Sequence, residues 1–155
     1  MLPVHGRIGH GCIFWLEAQW IMNILVIDAQ GGGIGRQVIT AVRKAFPQQH
    51  ITAVGTNSAA TSAMLKAGAD DAATGENAVS VCCRMADIII GPIGIVIADA
   101  LLGEITPKMA LAVGQSHAKR ILIPVNHCDN IIVGVGDLSM TGLIESVVDT
   151  LRGIL

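Results

Sequence analysis

From residue 22 onward, short apolar runs alternate with longer stretches in which apolar residues recur at helical spacing. Residues 23–28, NILVID, read as a buried strand. Ile34, Val38, Val42, Ala45 and Phe46 then share one helical face, predicting a helix over 34–46 that stops at Pro47. A second strand is expected at 51–54. Thr56, Asn57 and Ser58 offer caps for a second helix, whose face is Ala60, Ala63, Met64 and Ala67 and whose C′ residue is Gly68. A short strand at 70–74 and a short helix at 76–85 come next, then a strongly apolar strand, DIIIG, at 87–91. A helical stretch is expected around 95–102. Thr106-Pro107 starts another helix with a cap followed by a proline at its first position. RILIPV at 120–125 and NIIVGV at 130–135 read as two further strands. Met140, Leu143, Ile144, Val147, Val148 and Leu151 form the stripe of a final amphipathic helix.

Strand–helix alternation of this kind predicts an α/β fold: a single-domain, three-layer, doubly wound, mostly parallel sheet of Rossmann-like type. No internal repeat or second domain is evident. The 155-residue length suits one domain, and an apolar content of 52% with only 14% charged residues suits a sheet covered on both faces. The net charge of -2 and an aromatic content of 3% argue against a nucleic-acid partner. The longest apolar run, 88–98, contains Pro92 and is too short to span a bilayer, so no membrane role is expected and a cytoplasmic protein is. Cys12, Cys82, Cys83 and Cys128 include no CxxC pair and read as reduced thiols. Cys128, His127 and one of the adjacent pair make a metal site only if the fold joins them, and no metal is assigned.

Residues 1–21 differ from the rest. They hold both tryptophans, Trp15 and Trp20, as well as Phe14, and lack the layout of a signal peptide. They read as an N-terminal extension outside the domain, which then covers 22–155. A misplaced start codon explains such an extension: Leu16-Glu17-Ala18 can be encoded by bases that contain a ribosome-binding sequence.

The main functional signal lies in DAQGGGIG, residues 28–35, between the first strand and the first helix. Glycines there let backbone approach a phosphate, and a helix N-terminus adds N–H groups and a positive dipole. Gly31, Gly32, Gly33, Ile34 and Gly35 are therefore candidate ligand-binding residues, with a plain strand-to-helix turn as the competing reading. The G-x-G-x-x-G spacing is not met, because Arg36 takes its last position. The T-G-x-x-x-G-I-G pattern of short-chain dehydrogenases is nearer, with Asp28 for Thr and Ala29 for the first Gly. No Gly-Lys-Ser/Thr follows, which excludes a P-loop.

The second strand ends in Gly55-Thr56-Asn57-Ser58, with neither an acid for a ribose nor an arginine for a 2′-phosphate. That weighs against ordinary NAD binding. Thr56, Asn57 and Ser58 are candidates for ligand contact or for simple capping. Gly91 and Pro92, after the fourth strand, complete a candidate cleft. The expected ligand is a nucleotide, dinucleotide such as NAD(P), or phosphorylated metabolite. The alternative is an enzyme acting on such a ligand, with Glu76 or Glu104 as acid–base and Lys108 near a phosphate. The common reading of both glutamates is solvated or dipole-friendly. The sequence has no Tyr, so the Tyr-x-x-x-Lys pair of short-chain dehydrogenases is absent, and no G-x-S-x-G elbow occurs.

DAQGGGIG, TNSAATSAMLKAGA at 56–69, ATGENA at 73–78 and DIIIGPIGI at 87–95 together resemble a family of short bacterial proteins carrying a domain of unknown function. The resemblance continues through GEITPKMA and ILIPVN, so it covers the chain from about Met22. That family reads Gly at Ala29 and usually Ile at Ala59. It implies no activity or substrate, and it supports placing residues 1–21 outside the domain. Finally, IGIVIADALL at 93–102 is apolar almost all round, and such a helix must be buried on more than one side. Pairing of this helix between two subunits is the expected basis of a homodimer or higher even oligomer.

Overall fold

Strand β1, Asn23–Asp28, is buried on both faces from Ile24 onward, because strands pair with both of its edges. In this computed structural model the described residues are 20–125 and 130–155. The elements that follow are α1 (Gly33–Ala45), β2 (His50–Gly55), α2 (Ser58–Lys66), β3 (Asp71–Thr74), α3 (Glu76–Met85) and β4 (Ile88–Pro92). After them come α4 (Pro107–Gln115), β5 (Lys119–Ile123) and α5 (Met140–Arg152). The five strands form one all-parallel sheet in the order β3-β2-β1-β4-β5.

Alternate residues of β1 serve two cores. Ile24 and Val26 pack with Val38, Ile39 and Val42 of α1, Met64 of α2, and Ile144, Val147 and Leu151 of α5. Leu25 and Ile27 pack with Val79 and Cys83 of α3 and Met109 and Val113 of α4. Helices therefore cover both faces, and the fold is the three-layer, doubly wound α/β arrangement read from the alternation. Caps stand where the sequence placed them: Asn57 accepts from the Ala60 amide and Thr106 from the Met109 amide. Gly68 follows α2 with φ 114. No described helix is long and apolar enough to cross a membrane.

Two elements differ from expectation. Residues 95–102 do not form a helix. A short 3-10 turn, Ile93–Val96, follows Pro92, and Asp99, Leu101, Leu102 and Gly103 then take positive φ values of 62, 57, 60 and 83. This irregular strap buries Ile95, Ala100, Leu101 and Ile105 in one core while carrying the chain back to the start of α4. Its side chains need one buried face rather than a helix buried all round. The expected dimer therefore has no helix here to pair through. Residues 130–135 are not a strand either. Ile131 and Val133 are each 93% exposed, and Gly134 turns the chain at φ 86. The sheet ends at β5, whose own strand stops before Pro124 because proline has no N–H to donate.

The expected extension lies mostly outside the described residues. So do Cys12, His127 and Cys128, and with them the possible metal set. Cys82 and Cys83 are free thiols; burial pushes Cys83 up to about 11, so it is protonated at neutral pH.

Candidate functional site

The chain leaves β1 toward β2 and β3 on one side, and the sheet continues on the other side with β4 and β5. The crevice at the C-terminal ends of β1 and β4 is thus the point where strand order reverses, the usual ligand position in such sheets. A cleft of about 260 Å³ lies there, lined by the loop residues 28–31 and Gly33, by Ile34 and Gln37 of α1, and by Pro92, Leu101 and Val125.

The glycines of the loop have different reasons to be there. Gly32 sits at φ 67, and a Cβ on it would come within 2.8 Å of the Ala60 backbone, so only glycine fits. Gly35 is packed against Met64 and Asp28, and Gly91 against the Ile27 carbonyl, so helix–strand and strand–strand packing account for both. Gly31 and Gly33 face open space. Neither of their amides donates to a described residue. Ala29 is buried with an ordinary φ, so the alanine does not disturb the turn; the left-handed positions are Gln30, at φ 51, and Gly32.

Asp28 ends β1 with its carboxylate buried beneath this loop. Its Oδ1 accepts from the Ala29 amide at 2.8 Å and its Oδ2 from the Gly35 amide at 2.6 Å. Part of the positive end of α1 is therefore already answered by the protein's own acid. Burial nevertheless pushes the Asp28 carboxyl above the ordinary carboxylate range, against the pull of those amides. In the sequence Asp28 stands only at the threonine position of the short-chain dehydrogenase pattern. The signal that finds it is an acid closing an apolar strand directly before a glycine turn.

Glu104 lies outside the cleft and ties two loops together. Its Oε2 accepts from the Gln30 amide at 2.9 Å, from the Thr56 hydroxyl and from Asn57 Nδ2 at 2.9 Å. Asn57 Nδ2 also donates to the Gln30 carbonyl at 2.9 Å. Thr56 and Asn57 thus face Glu104 and the loop, while Ser58 is exposed at the start of α2. The Thr56 hydrogen bond, with those from Gln30 and Asn57, holds the Glu104 carboxyl below its usual range. Glu76 is likewise held low, by Thr106 at 2.7 Å and Lys108 at 3.3 Å. Neither glutamate lines the cleft, and both are charged acceptors at neutral pH, which is not the state of a general acid. Lys108 is engaged with Glu76 and leaves the glycine loop without that cation.

Among solved structures, the chain is similar to the crystal structure of a dodecameric FMN-dependent UbiX-like decarboxylase from Escherichia coli O157:H7. The two are 19% identical over 85% of this chain and 76% of that one, with a TM-score of 0.42. A likeness that weak carries no argument about ligand or reaction. Comparison with curated proteins yields no significant match. The family pattern described as "Domain of unknown function (DUF3842)" matches residues 23–155, from the first residue of β1 to the last of the chain. It spans the whole sheet, the glycine loop and the strap that carries Glu104, and the chain belongs to the DUF3842 family.

Proposed function

We propose that the protein binds a nucleotide or phosphorylated metabolite in the cleft at the β1–β4 switch point, with a phosphate on the glycine loop. The observation that carries this reading is the pair of Gly31 and Gly33, whose amides have no described partner and beside which a Cβ would meet nothing within 4 Å. Packing explains the other glycines of the loop and leaves these two to be explained. Backbone N–H groups at the start of α1 suit a phosphate oxygen. The cleft volume of about 260 Å³ suits a phosphate with its attached sugar better than a whole dinucleotide. The buried Asp28 works against an anion, so the amides must outweigh that repulsion or the acid must take up a proton on binding. Binding, rather than acid–base work by Glu76 or Glu104, is the reading favoured by where those glutamates point.

A thermal-shift panel of nucleotides and sugar phosphates tests it. Gly33→Val is admitted sterically at the first position of α1, so the fold is spared while the amide is shielded. At least one compound is expected to raise the melting temperature of the wild type and not that of Gly33→Val. Equal stabilisation of both proteins places the ligand elsewhere. No stabilisation of the wild type by any compound refutes phosphate binding. We also propose that the folded domain begins at Met22.

A further inference from the structure

Gln30 is the one left-handed non-glycine residue of the glycine loop. An L-residue with a long side chain takes that conformation only when its surroundings hold it there. Both of its peptide groups are held. Its N–H donates to Glu104 Oε2 and its C=O accepts from Asn57 Nδ2, and Asn57 is itself bonded to the same Glu104 oxygen. Glu104 is well anchored to exert such a hold. It sits near the end of the strap, next to Ile105, which is buried, and close to Thr106, which caps α4. The strap is closed on itself by bonds from the Asp99 amide to the Ile105 carbonyl and from the Ile105 amide to the Ala100 carbonyl.

We propose that Glu104 is the positioning residue of the glycine loop: by holding Gln30 left-handed, it turns the next residues so that the Gly31 and Gly33 amides present themselves to the cleft. This rests on the phosphate-binding reading for its consequence, but its structural half stands alone. Glu104 itself lies outside the cleft. It acts through the backbone of Gln30, and Asn57 completes the clamp.

The test uses the full chain, inorganic pyrophosphate as probe, and amide NMR spectra. Glu104→Ala is expected to weaken pyrophosphate about tenfold, the size of a left-handed penalty no longer offset. Glu104→Gln keeps an acceptor for the Gln30 amide and is expected to bind within about threefold of wild type, a deficit under 1 kcal/mol. The decisive variant is Glu104→Ala combined with Gln30→Gly. Glycine takes the left-handed conformation freely, so affinity is expected to return without the carboxylate. A general loss of stability has no reason to be rescued that way. Affinity unchanged in Glu104→Ala, or lost and not regained with Gln30→Gly, overturns the proposal. If Glu104→Ala does not fold, Asn57→Asp decides instead, because it keeps the cap acceptor for the Ala60 amide but removes the donor to the Gln30 carbonyl and to Glu104: a changed φ-dependent coupling at residue 30 supports the clamp, and an unchanged one overturns it. If pyrophosphate perturbs no amide of the wild type, the binding reading fails by itself. The φ-dependent coupling of residue 30 in unliganded Glu104→Ala then decides the positioning: a changed value supports it and an unchanged value overturns it.

Discussion

Two stretches of this chain look alike on paper. Residues 23–32, NILVIDAQGG, and residues 130–137, NIIVGVGD, both start with Asn, run through branched apolar residues and end in glycines and an acid. The first is the centre of the sheet, with Ile24 and Val26 fully buried. The second is an irregular segment with Ile131 and Val133 almost fully exposed. The difference lies in their neighbours. β1 has β2 on one edge and β4 on the other, and helices on both faces. Residues 130–135 come after the edge strand, and no described strand offers them a ladder. Strand propensity records how well a side chain fits a pleated surface, and it has no effect where the fold supplies no surface.

Truncating one isoleucine in each stretch separates the two most strongly. Ile24→Ala opens a void between the sheet and α1, and is expected to cost about 2–5 kcal/mol. Ile131→Ala removes a side chain already in water, and is expected to stay within about 0.5 kcal/mol of wild type. Urea unfolding of the two variants measures both. A cost at Ile131 approaching that at Ile24 means that the second stretch is buried in solution.

The acids of the two stretches differ as well. Asp28 accepts from the Ala29 amide beside it and from the Gly35 amide in the first turn of α1, whereas Asp137 stands in the exposed segment. Asp28→Asn turns an NH₂ donor toward one of those amides and is expected to cost about 1–3 kcal/mol. Its pH dependence has a definite sign. The folded carboxyl is raised, so the folded state holds the proton more tightly than the unfolded state. Its contribution is therefore most favourable below the unfolded value and declines as pH rises through the folded one. The stability difference between wild type and Asp28→Asn should shrink across that window with rising pH. A difference that grows instead means that burial does not dominate at Asp28.

Glu104 has the opposite sign. Its folded carboxyl is lowered, so the stability it adds is present above the unfolded value and is lost as pH falls through the folded one. Comparison of acid unfolding curves of wild type and Glu104→Gln should show the wild type losing its advantage on acidification. Parallel curves would mean that Thr56 and Asn57 do not favour the charged form.

The smallest expected effect concerns the start of the domain. Trp20 is 84% exposed and its carbonyl accepts from Gln49 Nε2 at 3.3 Å. A chain that begins at Met22 loses that contact and should unfold within about 1 kcal/mol of the full chain, the size of a single hydrogen bond. A larger loss places part of residues 1–21 in the folded domain.

Much of the fold was legible because local signals agreed with one another. The apolar runs at 23–28, 51–54 and 87–91 became β1, β2 and β4, and the stripe from Met140 to Leu151 became the buried face of α5. Caps at Asn57 and Thr106 and the turn at Gly68 are set by neighbours within four residues, so the residues alone determine them. The glycine loop was legible as well, since a strand, a glycine run and a helix start adjoin in the chain. What tertiary structure decided involves residues far apart in sequence. Glu104 reaches Gln30 across 74 positions and Asn57 across 47, and no periodicity encodes such a meeting. The same holds for the strap at 97–105 and the segment at 130–135. Their apolar residues are of the types that build helices and strands elsewhere in this chain. Composition makes them apolar, but the remaining surface of a finished sheet determines whether they are buried, and in what shape.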